Sequence, residues 1–437
     1  MVLTLNDLLN RLAIIVEWVF LIIIISYYFL MLKKHKRLTG KPKFKGITIL
    51  IPARNEERYL KQTLQAVVNA RFQGLKQVIV INDASTDNTL SIAKEFKKRF
   101  EKRLANKKAS TEILILNNKK HSGKANSLNQ GLKHAKHELV AVVDADSVIH
   151  KNALQSIAKY FADKKVAGVC AIVKVKNRKK FIGMWLHIEQ LYNNLLRSFF
   201  SKINANITTP GPLSVYKKQA LLEVKGFGSE GFLEDVDIAV KLVRKGFKVL
   251  VAEDAVTETN MPVSVKGFLK QRTRFARGWI HVLKKHLRLG RHVIDYYTLP
   301  LAIFWYVQAL VMGFFISSQI ITGYVKYFLL KNMVFNLQVL KYFFEWFSIV
   351  GVAKWVYGII IGSVPLTHYN LVSLMATLLS YPLYFIAIAK YDKKLDVLHV
   401  IPLSFMFPYW FVIMIIYVIN IPELFKPVRL NKWEKVN

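Results

Sequence analysis

The sequence predicts an α/β domain built on a helix-covered sheet, attached to a bundle of transmembrane helices. Three observations carry that class. The chain of 437 residues is 53% hydrophobic with positive mean hydropathy, and the excess collects in residues 13–32 and again after about residue 298. Between those regions, short β-rich apolar runs alternate with amphipathic helical stretches. Acidic and basic signatures also follow one another in that central part: Asp83, Asp144-Ala145-Asp146, Glu234-Asp235 and Gln271-Arg272-Thr273-Arg274. The expected organisation is an N-terminal anchor with a basic juxtamembrane segment (1–45), a soluble α/β domain (46–261), amphipathic interfacial helices (262–297) and a C-terminal membrane region (298–437) of about three to four spans.

Each element follows in order. Ala13 to Leu32 is long and apolar enough to cross a bilayer as a helix, with Glu17 as its charge. Lys33-Lys34-His35-Lys36-Arg37 comes after the apolar run rather than before it. This predicts an uncleaved anchor with its amino end outside and the next domain in the cytoplasm. From Gly46 the alternation reads strand Ile47–Ile51, helix Glu56–Ala70, strand Gln77–Ile81, helix Asp87–Leu104, strand Glu112–Leu116 and helix Ser122–Ala135. The run from Glu138 to Asp144 is a further buried strand. Such alternation signals a parallel sheet, in which ligands sit beyond the carboxyl ends of the strands. Ser264–Leu289 combines one apolar stripe with a dense cationic face, as in a helix lying in the membrane interface. Apolar stretches follow at Leu299–Ile321, Tyr342–Val364, Leu371–Ala389 and Val400–Ile421. The second of these holds Glu345 and Lys354, so it reads either as a span lining a polar path or as an interfacial element.

The net charge of +36, from 64 Lys and Arg against 28 Asp and Glu, raises nucleic-acid binding as an alternative. The basic runs argue against it. Lys33 to Arg37 and the tail carrying Lys426, Arg429, Lys432 and Lys435 flank apolar spans, as cytoplasmic loops against anionic lipid do. The single cysteine, Cys170, excludes an internal disulfide and a cysteine zinc cluster, and its apolar setting is that of a core strand. His121, His134 and His137 lack metal-ligand company and read as solvated or core residues.

The chemistry-bearing residues cluster at strand-to-loop transitions. Pro52, Arg54 and Glu56 lie where the first strand gives way to a helix, and Asp83 lies at the equivalent point of the second strand, where a carboxylate can accept hydrogen bonds from a base or ribose. Asp83-Ala-Ser-Thr-Asp87 could equally be a turn and helix cap. Asp144 and Asp146 alternate on an extended tip, which aims both at one side of a ligand, and hard carboxylate oxygens there suit Mg²⁺ or Mn²⁺ on a diphosphate. Glu234 and Asp235 read either as an acidic helix start or as a base, with Asp235 the chosen base. Arg272 and Arg274 are placed to stabilise a leaving diphosphate.

This ordered set, with Gly123-Lys124-Ala125-Asn126 before the Asp pair, resembles the processive, membrane-integrated family 2 glycosyltransferases: the cellulose, chitin, hyaluronan and poly-N-acetylglucosamine synthases. The resemblance covers roughly residues 46–282. It implies a GT-A-like domain with a Rossmann-like mixed sheet on the cytoplasmic side of the plasma membrane, in a multi-pass protein. It also implies a nucleoside contact from Asp83, a nucleotide contact from Lys124, and metal and diphosphate binding by Asp144 and Asp146. The general base would be Asp235, with Glu234, Gln271, Arg272, Arg274 and Phe275 around the diphosphate and acceptor. Gly211, in Thr209-Pro-Gly-Pro-Leu-Ser214, resembles that family's acceptor loop, or is a simple turn. The implied reaction is inverting transfer from a nucleotide-sugar, such as a UDP-sugar, to a growing polysaccharide, and it leaves open passage of the polymer across the membrane. Partners would be the donor, a glycan or lipid acceptor and membrane lipid, with room for an accessory subunit and none for nucleic acid. Two departures are visible: Phe275 stands where that family usually has Trp, and Leu233 where Thr often precedes Glu-Asp. A non-processive glycolipid synthase and a non-catalytic basic membrane scaffold are the competing expectations.

Overall fold

The computed structural model describes residues 5–34, 44–104 and 111–428. His35, Lys36, Arg37, Arg429, Lys432 and Lys435, read above as membrane-adjacent charge, lie outside the described residues. The chain divides into two compact units. One comprises residues 34–177, 193–299 and 424–437, and the other residues 1–33, 178–192 and 300–423.

The first unit is built on an eight-stranded mixed sheet. Strands β1 (Gly46–Ala53), β2 (Leu75–Asp83), β3 (Thr111–Asn118) and β4 (Leu139–Val142) are mutually parallel in the order β3-β2-β1-β4. All eight positions of β1 are buried, which is why its sequence is a continuous apolar run rather than an alternating one. Helix α2 (Leu60–Asn69) packs Leu60, Leu64 and Val67 into the core at helical spacing. Helices α3 (Thr89–Leu104) and α4 (Lys124–Lys133) supply the crossovers.

Beyond β4 the sheet is not purely parallel. The order continues β7-β6-β8-β5, where β5 is Ser147–Ile149, β6 is Val166–Val175, β7 is Ser214–Lys217 and β8 is Lys248–Thr259. Strand β7 runs antiparallel to both β4 and β6, and β5 runs antiparallel to β8. The sheet is thus the mixed one that the family resemblance implies, with its parallel part where the sequence alternates strand and helix. The four-residue β7 is placed by pairing with segments distant in sequence, which no local period records. Cys170 lies in β6, fully buried, as its neighbours predicted.

Two further helices complete the functional part of this unit. Helix α8 (Glu234–Arg244) opens with Glu234, Asp235 and Asp237 in its first turn, where the helix dipole favours negative charge. Helix α9 (Val265–His286) is capped by Ser264, whose side chain accepts from the Gly267 N–H. It buries Phe268, Ala276, Ile280 and Leu283 and exposes Lys266, Lys270, Arg277, Lys284 and Lys285.

Among the described residues, four helices, lying wholly or mostly in the second unit, are long and apolar enough to cross a membrane: Asp7–Leu32, Ile294–Lys331, His368–Tyr391 and Met406–Phe425. The stretch carrying Glu345 and Lys354 is two helices, Leu337–Phe347 and Ile349–Ile360, bent by 83° at their break. Lys354 Nζ lies 2.7 Å from Glu345 Oε1 across that bend. Elsewhere in the unit, His187, Asp392 and His399 bring three ligand-type atoms together. Both imidazole Nε2 atoms meet the same Asp392 Oδ2, at 2.6 and 2.9 Å, and the Arg178 guanidinium lies 3.3 Å from that oxygen. These are hydrogen-bond separations, and a cation already fills the place beside the carboxylate.

Candidate functional site

The carboxyl ends of β1, β2 and β4 meet the N-termini of α4 and α8. Pro52 is the penultimate residue of β1, in register with Ile81 of β2. The next residues knit the first two strand ends together. Arg54 Nη1 donates to the Asp83 carbonyl at 2.9 Å, the Asn55 N–H to Ser85 Oγ at 3.1 Å, and the buried Glu56 N–H to Thr89 Oγ1 at 2.7 Å. Asp87 accepts from the Thr89 N–H and hydroxyl at the start of α3, so it caps the helix as expected.

Asp83 itself is fully buried and saturated. Its Oδ1 accepts from Asn118 Nδ2 (3.0 Å), the Ser122 N–H (2.9 Å) and Ser122 Oγ (2.9 Å). Its Oδ2 accepts from His121 Nδ1 (2.7 Å) and the Gly123 N–H (2.9 Å). Burial alone would raise its pKa, but the bonds from Asn118, Ser122 and His121 outweigh it and hold the carboxyl below the usual range. Gly123 adopts φ 88°, a left-handed conformation that lets the chain turn its N–H onto the carboxylate and open α4 with Lys124. His121, read from the sequence as a solvated or core residue, is tied by this bond to the end of β2. It belongs to this loop, and its Nε2 is buried without a partner, as is Asn118 Oδ1.

One turn into the site stands an acidic cluster. Lys124 Nζ lies 2.8 Å from Asp144 Oδ1 and 3.0 Å from Glu234 Oε1. Burial would lower the lysine pKa, but these carboxylates outweigh it and keep the ammonium charged. Glu234 is likewise held low, as the Lys124 charge overcomes its burial. Asp235 has no such cation in contact. Burial and the neighbouring Glu234 charge push it up to about 7. Its backbone carbonyl accepts from Thr209 Oγ1 at 2.7 Å, which ties the 209–214 loop to α8. Gly211 closes the cluster: a Cβ there would sit 2.5 Å from Lys124 Nζ and 2.6 Å from both Asp144 oxygens. Close approach of backbone to charge is what this glycine permits.

Asp144 and Asp146 do not alternate on an extended tip. They occupy a tight turn between β4 and β5, closed by the Ser147 N–H on the Asp144 carbonyl at 3.0 Å. Asp146 Oδ1 accepts from Thr259 Oγ1 at 3.2 Å while Asp144 meets Lys124, so the two side chains take different partners. The strand stops at Val142 because β5 must reverse to pair antiparallel with β8.

Within the Gln-Arg-Thr-Arg-Phe segment of α9, the charge of Arg274 bears on Glu234. Arg272 is buried, its guanidinium 5.5 Å from the ring centres of both Phe268 and Phe275. The Arg274 guanidinium lies over the same Phe275 ring, also at 5.5 Å, so the ring stands between the two arginines. Gln271 is buried, with Nε2 3.5 Å from Met261 Sδ. A carboxylate passed over in the sequence is Asp237, which accepts from Lys241, Lys285 and His286 at 2.7, 2.9 and 2.9 Å and pins α8 to α9. The repeat of acid in Glu-Asp-Val-Asp was its signal.

Comparison with known proteins agrees with this geometry. A family profile described as "Glycosyltransferase like family 2" matches residues 42–278. The chain is 28% identical over 244 residues to the poly-beta-1,6-N-acetyl-D-glucosamine synthase of Staphylococcus aureus, covering 55% of this chain and 56% of that one. It is 29% identical over 270 residues to the synthase of the same name from Staphylococcus epidermidis, covering 59% and 61%. The chain thus matches a little over half the length of these curated relatives. Among solved structures, a mannosyltransferase from Pyrobaculum calidifontis in complex with GDP-Man and Mn²⁺ superposes with a TM-score of 0.59 at 19% identity, over 88% of this chain and all of that one. At that identity the likeness shows a shared fold.

The fold and site define a GT-A-like glycosyltransferase with membrane helices. The chain belongs to the family 2 glycosyltransferases and is distantly related to the poly-beta-1,6-N-acetyl-D-glucosamine synthases.

Proposed function

We propose that this protein transfers a sugar, with inversion, from a nucleotide-sugar to the end of a growing polysaccharide. The observation that carries the reading is Asp235: a partly buried carboxylate without a contacting cation, raised to about 7, beside a Lys124-bridged acidic pair at the strand ends. A group poised there takes a proton from an acceptor hydroxyl near neutral pH. As Asp235 accepts that proton, the acceptor oxygen bonds to the anomeric carbon. The bond from that carbon to the diphosphate breaks, and the nucleoside diphosphate leaves. Lys124 and Arg274 bring positive charge to where the leaving group gains negative charge.

A divalent ion fits the donor set. The carboxylates of Asp144, Asp146, Glu234 and Asp235 outnumber the cations Lys124 and Arg274, and they are hard oxygen ligands. Asp144 and Asp146 would hold Mg²⁺ or Mn²⁺, which would add positive charge against the diphosphate. The polysaccharide acceptor is favoured by the named activity of the staphylococcal relatives. The basic residues Lys33 and Lys34 after the first apolar helix favour a cytoplasmic catalytic unit in the plasma membrane.

The test is nucleotide release by the purified protein in lipid, with UDP-GlcNAc, UDP-glucose, UDP-galactose and GDP-mannose as donors and Mg²⁺ or Mn²⁺ present, followed by sizing of the product. A long polymer, absent in Asp235→Asn, supports the proposal. One or two sugars on lipid would reassign the protein to glycolipid synthesis. No turnover with any donor by folded protein would point to a scaffold.

A further inference from the structure

The directions of the apolar helices bear on which of them cross the membrane. Helix α1 (Leu5–Leu32) packs in parallel along α13 (His368–Tyr391): Ala13 and Val16 share a cluster with Tyr369, Leu21 lies with Val372 and Ala376, and the Tyr28 hydroxyl donates to the Leu379 carbonyl at 2.7 Å. Against α10 (Leu299–Tyr327) α1 runs antiparallel, since the Phe20 ring meets Trp305 while Ala13 and Val16 reach Met312. Helices α10 and α13 therefore run in opposite directions, and the segment between them starts and ends on the face away from Lys33 and Lys34. That segment holds α11 (Leu337–Phe347) and α12 (Ile349–Ile360). They are about 16 and 18 Å long at 1.5 Å per residue, against a hydrocarbon core of about 30 Å, and their 83° bend keeps the two lengths from adding. The elbow is closed backbone to backbone: a Cβ on Gly351 would lie 1.8 Å from the Glu345 carbonyl oxygen.

The last apolar stretch follows the same rule from the other face. Helix α13 ends at Tyr391 on the side of Lys33 and Lys34, and α14 (Val397–Ser404) rises only about 12 Å before α15 (Met406–Asn420) begins. The chain after Phe425 is back on that side. Leu424 onward groups with the first unit, and Lys284 of α9, the helix that precedes α10, donates through Nζ to the Lys426 carbonyl. Met406–Phe425 is long enough to cross, yet the stretch from Asp392 to Lys426 opens and closes on one face. We infer that the membrane part consists of three spans, α1, α10 and α13, and two half-membrane hairpins, residues 337–360 dipping in from the outer face and 397–425 from the cytoplasmic face. Their turns meet. Phe347, the last residue of α11, has its ring centre 5.9 Å from that of Phe407 and 6.2 Å from that of Phe411, and Phe405, between α14 and α15, lies 6.1 Å from Phe344. Non-helical backbone at membrane depth needs protein cover, and rings of each hairpin cover the turn of the other. The basic residues agree. Lys33, Lys34, Lys390, Lys393, Lys394 and Lys426 all fall on one face, whereas a spanning 337–360 would send Lys390, Lys393 and Lys394 to the other.

This arrangement concerns sidedness and does not depend on the sugar-transfer reading. The single cysteine, Cys170, is buried in β6, so a full-length Cys170→Ala chain is the background for Lys33→Cys, Lys331→Cys, Ser363→Cys, Lys393→Cys and Lys426→Cys, each at an exposed position. A membrane-impermeant thiol reagent is added to sealed right-side-out vesicles before and after permeabilisation. With the inference correct, Lys331→Cys and Ser363→Cys label in the sealed vesicles, and Lys33→Cys, Lys393→Cys and Lys426→Cys label only once the vesicles are opened. Labelling of Lys331→Cys and Ser363→Cys from opposite faces would make 337–360 a span and overturn the inference. Labelling of Lys393→Cys and Lys426→Cys from opposite faces would make Met406–Phe425 a span and overturn it equally. If the cytoplasmic orientation alone is wrong, all five positions reverse together and the two hairpins stand. Trypsin repeats the test on the unaltered chain: cleavage after Lys33 or Lys34 and after Lys393 or Lys394 is expected from the same face, and cleavage at these two places from opposite faces overturns the inference.

Discussion

Asp83 and Asp235 are two aspartates at the ligand-facing edge of one sheet, the first fully buried and the second partly so, and their surroundings treat them oppositely. Asp83 is surrounded by five donors and is held below the usual carboxylate range. Asp235 accepts from the Val236 N–H at 3.0 Å, sits beside Glu234, and is driven up. The first is stabilised as an anion and immobilised. The second is left short of partners, and so retains an affinity for protons that chemistry can use. The residue type is the same and the anionic Asp83 is the more deeply buried of the two, so the number of donors, and not burial, decides whether an aspartate holds structure or is available to react.

The largest effect should come from removing the deprived carboxylate. Asp235→Asn keeps the shape but cannot accept a proton, and turnover should fall by about 10²–10⁴-fold with donor affinity little changed, as single-turnover and binding measurements would show. Loss of donor binding in step with turnover would break the contrast. Next is Gly211→Ala, whose Cβ would press on Lys124 and Asp144. Displacing groups of this kind by about 1 Å costs on the order of 10²-fold in rate, so a loss of that size is expected, with the melting temperature nearly unchanged. Asp83→Asn acts on the other side of the comparison. An amide oxygen cannot serve five donors, and leaving buried donors unmet costs roughly 1–3 kcal/mol each, which a denaturant midpoint would reveal.

The smallest effect is the response to pH, and here the two carboxylates should differ in sign. The raised Asp235 is protonated below about 7, so turnover should rise with pH through that value and then level off. Its contribution to stability is present at low pH and is lost as pH rises through the same range. Added Mg²⁺ or Mn²⁺ should move the midpoint of the rate profile downward. Asp83, with its depressed value, contributes stability that is present at neutral pH and lost on acidification through its lowered pKa. Denaturation curves of Asp83→Asn and Asp235→Asn against pH should both converge with wild type at low pH, where aspartate and amide are alike in charge, and part in opposite directions at higher pH, Asp83→Asn falling below wild type and Asp235→Asn rising above it.

Much of the fold was legible because the strands of a parallel sheet, buried on both faces, must be apolar throughout. Ile47–Ile51 and Gln77–Ile81 fall inside β1 and β2 for that reason. The acidic order also marked the strand ends, and Asp144, Glu234 and Lys124 do meet. The bond of His121 to Asp83 was not legible because the two lie 38 residues apart, and no spacing rule links a histidine in the loop after β3 to the end of β2.

By itself the sequence determined which segments are strands, which are amphipathic and which are apolar enough to enter a bilayer, since these depend on local period and hydropathy. It also determined which residue types are on hand for sugar transfer. Only the tertiary structure decided which carboxylate is neutralised and which is left reactive. Charge and hydrogen bonding act through distance in space, and the donors that quiet Asp83 and the lysine that pairs with Glu234 arrive from parts of the chain far removed in sequence.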